Sequence, residues 1–306
     1  MPDGLCVTAL SEQPPLIEPL PRPAERLVVL GDSTAVGLGD PVPGRGWRGV
    51  GPFVARALGI GPAGYLNTAF TGARMACVRR DQLGAALRHR PDVAVVIVGM
   101  NDTLRSDFDA AVIAADLDHV VTTLTARGAV VVPVRFHDHG KVFRLPGPLY
   151  RALKARIDEL NAVIDAVVAR RGVPCLDLDA MPGAYELASW SVDRLHPSEL
   201  GHRMLARGLT ELLEQAGVAI AEPVSLVCSG GMRPRTVDHV GWLVIKGLPW
   251  LWRRGRDLLP YAATIMAASA RQSYLEWRER QVEAAPAPGL SDLPITVEGC
   301  RTNSSP

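Results

Sequence analysis

From Arg26 to about residue 217, short β-branched runs alternate with longer stretches of helical period, and this alternation restricts the fold more than any other feature of the chain. The candidate strands are RLVVLG (26–31), YLNTAF (65–70), DVAVVIVG (92–99), AVVVPV (129–134) and VPCLDL (173–178). Between and after them, helices are expected near 47–58, 73–89, 107–127, 148–171 and 198–216. In the fourth, Leu153, Ile157, Leu160, Ile164 and Val167 recur at three- and four-residue spacing and form one apolar stripe. Strand–helix alternation of this kind builds a parallel sheet covered by helices, so the expectation is a three-layer α/β/α domain over 24–217 with a five-stranded parallel sheet.

The flanks read differently. Residues 1–23 are proline-rich and are expected to form an irregular arm. That opening has no basic region followed by an apolar core, so it does not read as a secretory signal, and a cytoplasmic location is the default. After Gly217 the stretch GWLVIKGLPWLWRRGRDLLPYAATIMAASARQSYLEWRER carries four of the six tryptophans and seven basic residues. Residues 218–306 are therefore expected to form a C-terminal helical appendage with a flexible tail. Two readings stay open for it: an apolar helix pair docked on the main domain, or a basic-aromatic helix making peripheral membrane contact through 242–259.

Charge and cysteine content exclude several classes. Thirty-three Lys and Arg against 32 Asp and Glu leave a net charge of +1, which gives no reason to expect nucleic acid as a partner. The five cysteines are scattered and lack CxxC spacing, so they are read as reduced thiols. No cofactor and no metal is expected. GRGWRG (44–49) follows DPVP instead of a strand, which argues against a dinucleotide motif, and GDSTAVGL lacks the lysine of a phosphate loop. HDH (137–139) has no third ligand beside it and reads as a substrate-lining loop, with Phe136, Phe143 and Tyr150 as candidates near an acyl group.

The stretch LVVLGDSTAVGLGD (27–40) carries the chemistry. In an open parallel sheet, ligands bind beyond the carboxyl ends of the strands, and Ser33 lies two residues past the first predicted strand. A serine hydroxyl needs a base and an orienting acid. DRLHPSELGH supplies both, Asp193 three residues before His196, with Pro197 expected as the first residue of the next helix. His89 and His119 read as surface residues, and His202 as lying on another face of the helix. Donors for a developing oxyanion are available at Gly72, past the second strand, and at the side-chain amide of Asn101, past the third. Gly31 is expected to permit a sharp turn and Asp32 to cap the helix after it. Gly37 and Gly39 are expected to keep bulk away from the substrate rim.

GDS at Ser33, the glycine at 72, GMND (99–102) and DRLHP (193–197) resemble, in order and spacing, the four sequence blocks of the SGNH hydrolases, also called GDSL esterases and lipases. The resemblance covers roughly 26–217 and leaves the appendage unexplained. It implies a flavodoxin-like sheet and a serine hydrolase acting on a small-molecule ester. Ser33 would be the nucleophile, His196 the base and Asp193 its orienter, with an oxyanion hole from the Ser33 and Gly72 N–H groups and the Asn101 side chain. Thr34 stands where the family name places leucine, at a position without a catalytic role. Acyl transfer to a sugar or natural-product hydroxyl would use the same triad. A non-enzymatic role would rest on the tryptophan- and arginine-rich segment.

Overall fold

The computed structural model describes residues 21–229, except positions 45, 144 and 146, together with scattered positions between 260 and 278. The chain divides into two units, 1–262 and 263–306. In the second, described residues are helical and the exposed Tyr274 and Trp277 rings stack with centroids 5.9 Å apart. The stretch 242–259, where membrane contact is expected, lies outside the described residues. Among the described residues no helix is long and apolar enough to cross a membrane.

Five parallel strands form the sheet of the first unit: β1 (Leu27–Gly31), β2 (Tyr65–Asn67), β3 (Val93–Ile97), β4 (Val130–Arg135) and β5 (Leu176–Asp177). Their order is β2-β1-β3-β4-β5, the flavodoxin-like arrangement, with the order reversing between β1 and β3. Side chains alternate across each strand. Val28, Leu30, Ala94, Val96 and Val131 enter one core, and Leu27, Val29, Val93, Val95 and Val132 enter the other.

The first core is covered by α3 (Leu83–His89), α5 (Ala110–Thr125) and α7 (Gly147–Arg171). The second is covered by α2 (Val50–Ala57) and α8 (Glu199–Gln215). Shorter helices α1 (Ser33–Val36), α4 (Met100–Thr103) and α6 (His139–Phe143) follow β1, β3 and β4. The stripe expected on α7 is buried along its whole length, from Leu153 to Val167, and burying each such side chain is worth about 1.5–3 kcal/mol.

Several boundaries differ from the sequence expectation for identifiable reasons. β2 stops at Asn67 because that side chain turns the chain locally, donating to Ala35 O (2.8 Å) and accepting from Ala69 N (3.0 Å). α2 starts at Val50, after Gly49 at φ +71. Ser198, whose hydroxyl accepts from Gly201 N, caps α8, so Pro197 precedes the helix and is not its first residue. Past Gly217, Val218 and Val224 are buried in the second core and Ala219 N donates to Arg22 O (2.9 Å), so residues 218–229 pack with the sheet domain.

The helix expected over 73–89 contains a π-type turn, Val78–Gln82, between Met75–Cys77 and α3. Its last residue, Gln82, is buried and clamps the end of β1: Oε1 accepts from Gly31 N and Nε2 donates to Gly31 O, both at 2.8 Å. Asn161 on α7 does the same for Phe136 beyond β4, at 2.9 and 2.7 Å. These amides satisfy backbone groups where the ladder has run out. Gln82→Leu keeps the volume but strands the buried Gly31 N–H and leaves Gly31 O only a long bond from Phe70 N (3.4 Å), and should cost about 1–3 kcal/mol in urea unfolding. An unchanged midpoint would show that the clamp contributes nothing.

Candidate active site

The four sequence blocks meet at the carboxyl edge of the sheet, beside the point where strand order reverses. Gly31 ends β1 at φ +146, and Asp32 N donates to Ile97 O (3.1 Å) as the chain turns. Asp32 Oδ1 caps α1 by accepting from Thr34 N (3.0 Å), as expected from sequence. This places Ser33 in the first turn of α1, nine-tenths buried.

Opposite it, the 190–197 loop is drawn closed. Ser191 N donates to His196 O (2.9 Å), Arg194 N to Ser191 O (3.0 Å), and Arg194 takes a left-handed φ of +53. Trp190 and Pro197 form an antiparallel bridge at its base. The loop holds His196 with Nε2 2.7 Å from Ser33 Oγ and Nδ1 2.6 Å from Asp193 Oδ2. Asp193 Oδ1 accepts from Leu195 N (2.9 Å), His196 N (2.9 Å) and Ser191 Oγ (2.6 Å). Burial pushes this carboxyl upward, but the hydrogen bond and charge of His196, with Ser191 and the loop amide, outweigh it and hold the pKa at about 2. Asp193 is therefore ionised throughout the neutral range.

Asn101, the second residue of α4, joins two other blocks. Its Nδ2 donates to Ala73 O (3.1 Å), next to Gly72, and to Asp32 Oδ2 at a longer 3.4 Å. Gly72 is exposed at φ +82 with open space where a Cβ would stand. Among the described residues, no hydrogen bond takes up the backbone N–H of Ser33 or of Gly72. Asp32 sits between these groups, and burial raises its carboxyl to about 7 despite the Thr34 N–H and the charge of His196.

The raised pKa of Asp32 gives a signed prediction. Between the unfolded value of 3.8 and about 7, the folded chain holds one proton more than the unfolded chain, so this group lowers stability as pH rises through that window. Asp32→Asn removes the penalty. Its stability relative to the native protein should improve by on the order of 3–4 kcal/mol between pH 4 and pH 8, read from urea unfolding at each pH. A pH-independent difference would contradict this.

Gly37 and Gly39 are required by close approach of backbone to backbone. A Cβ on Gly37 would stand 2.7 Å from Gly49 Cα, and one on Gly39 would stand 2.1 Å from Pro197 O. They are crossing points that let the loop after Ser33 lie against Gly49 and the His196 loop. His202, buried, fixes the same loop through Nε2 and Leu38 O (2.9 Å).

Sequence reading missed a buried ionic network. Arg48 binds Asp40 (2.9 Å) and Glu199 (2.8 Å), and Glu199 also binds Arg203 (3.0 Å) and accepts from Ser229 N (2.7 Å). The Glu199–Arg203 spacing was a visible signal on a helix. His89 is half-buried, with Nε2 2.9 Å from Gly64 O, while His119 is exposed as expected. His137 and His139 are buried with Nε2 and Nδ1 2.8 Å apart, and the Trp190 ring packs on both. Burial lowers the His137 pKa to about 4 and lowers that of His139 as well, so both rings are neutral at pH 7. Among the described residues no cluster of three metal-ligating side chains occurs. Cys77 and Cys175 are free thiols.

With this geometry in place, the chain belongs to the GDSL-like Lipase/Acylhydrolase family, whose profile matches residues 29–204, from within β1 to within α8. No curated protein matches the chain in sequence. A catalytic mutant of Axe2, an acetylxylan esterase from Geobacillus stearothermophilus, is similar with a TM-score of 0.51 and 18% identity, over 64% of this chain and 96% of that one. LAE5, an alpha/beta hydrolase enzyme from the metagenome of Lake Arreo, Spain, is similar with a TM-score of 0.50 and 17% identity, over 62% and 95%. At these identities the likeness is one of fold.

Proposed function

We propose that this protein is a serine esterase that cleaves carboxylic esters through an acyl-enzyme on Ser33. The observation that carries the reading is the hydrogen-bonded chain from Ser33 Oγ through His196 to Asp193, at 2.7 and 2.6 Å, held by a closed loop at the carboxyl edge of the sheet. Family membership supports it.

Ser33 Oγ attacks the ester carbonyl as its proton passes to His196 Nε2, and the ionised Asp193 stabilises the resulting imidazolium through Nδ1–H. The Ser33 and Gly72 N–H groups supply two donors to the oxyanion. Asn101 supplies the third by exchanging its long bond to Asp32 for the substrate oxygen. Collapse of the tetrahedral intermediate breaks the C–O bond, and His196 returns its proton to the leaving alcohol. Water, activated by the same histidine, then attacks the acyl-enzyme and releases the acid with Ser33 restored.

Oxyanion donation is tested by Asn101→Ala, which should lower kcat on nitrophenyl acetate by about 10²–10³ with little change in KM. A rise confined to KM would assign Asn101 to ground-state binding instead. Release of nitrophenol in a burst matching the enzyme concentration, followed by slower turnover, is the expected sign of the acyl-enzyme.

A further inference from the structure

Beside the Ser33–His196 pair lies a cavity of about 60 Å³, walled by Thr34, which follows Ser33, and by Leu195 and Pro197, which flank His196. Immediate neighbours of both reacting groups thus form its wall. The rest of the lining is apolar, apart from Ser189 and the rings of His137 and His139, which face no solvent and are packed under Trp190. A second, larger space of about 670 Å³ runs along β5 and α8, between Leu176, Pro182, Gly208 and Leu212. Met181, Ser189 and Met204 line both spaces and so form the partition between them.

Resting on the esterase reading, we infer that the small cavity is the acyl pocket and that Met181 and Met204 set its depth, restricting the enzyme to esters of short, uncharged acyl groups. Volume decides the length. A cavity of about 150 Å³ accepts benzene, with six carbons, so one of about 60 Å³ takes a chain of about two to four carbons. Charge decides the class: a carboxylate-bearing chain would enter a space that offers it no cationic side chain, at a large desolvation cost. Methionine suits a partition of this kind because its unbranched thioether fills irregular space. Met204 is further seated by Ser189 Oγ, 3.4 Å from its Sδ.

The test is a chain-length series of nitrophenyl esters, from acetyl to decanoyl, on the full chain and on Met204→Ala and Ala184→Val. The native enzyme should favour acetyl to butyryl, with kcat/KM lower by about 100-fold or more at octanoyl. Met204→Ala joins the two spaces and should raise octanoyl relative to acetyl by about tenfold or more. Ala184, another wall residue, tests the same cavity from the opposite direction: valine there should depress butyryl relative to acetyl by about tenfold. A native profile that is flat or rises with length overturns the assignment. So does an unchanged profile in both folded variants, and if one variant fails to fold the other decides. Hydrolysis with the wrong chain-length profile removes only the pocket, whereas absence of hydrolysis together with no labelling of Ser33 by a phosphonate removes the esterase reading and the pocket with it.

Discussion

Ser33→Ala and His196→Ala should each lower kcat on short-chain nitrophenyl esters by about 10⁶, with the double variant no worse than either alone. The size follows from cooperation: without His196 the hydroxyl has no acceptor for its proton, and without Ser33 the imidazole has nothing to activate. Asp193→Asn should cost less, about 10⁴, because the histidine remains but its tautomer is no longer enforced. In this protein that substitution also disturbs three donors to Oδ1, from Leu195 N, His196 N and Ser191 Oγ, so a modest loss of stability should accompany the loss of rate. Circular dichroism and unfolding midpoints for each variant separate chemistry from folding. Equal, small losses across all three would remove the triad assignment.

Gly31→Ala is expected to be the most damaging single change to the fold, with a cost above about 5 kcal/mol or failure to fold. At φ +146 an L side chain is strained, and its Cβ would stand 2.0 Å from Ile97 O and 2.8 Å from Ile97 C, both backbone atoms of the neighbouring strand. Ile97 O also accepts the Asp32 N–H, so relief of the clash separates β1 from β3 where Ser33 emerges. Gly44→Ala serves as the control. It too has positive φ, at +70, but no atom lies within 4 Å of its Cβ position, and left-handed strain alone costs about 1–2 kcal/mol. Comparable urea midpoints for the two variants would contradict this account of Gly31.

The strands and long helices were legible because local pattern and tertiary role coincide: Leu27 to Leu30 are apolar on both faces because both faces are covered, and the α7 stripe has one face to bury. That Ser33, Asp193, His196 and Asn101 would come to one place was legible because a parallel sheet brings its strand ends to one edge, whatever the connections contain. What escaped was fixed by contacts between distant residues. Nothing local marks Gln82 as the partner of Gly31, 51 positions away, or makes Gly39 a crossing point for the carbonyl of Pro197. The roles of His137 and His139 were hidden for the same reason, since Trp190, which covers them, comes from a different loop.

The central claim is that His196 activates Ser33 as a nucleophile, and covalent labelling tests it most directly. Treated with a fluorophosphonate and digested for mass spectrometry, the native protein should carry one adduct, on the peptide containing Ser33. That adduct should be absent from Ser33→Ala and should form far more slowly in His196→Ala. A folded native protein that stays unlabelled, or one labelled at another residue, would contradict the account.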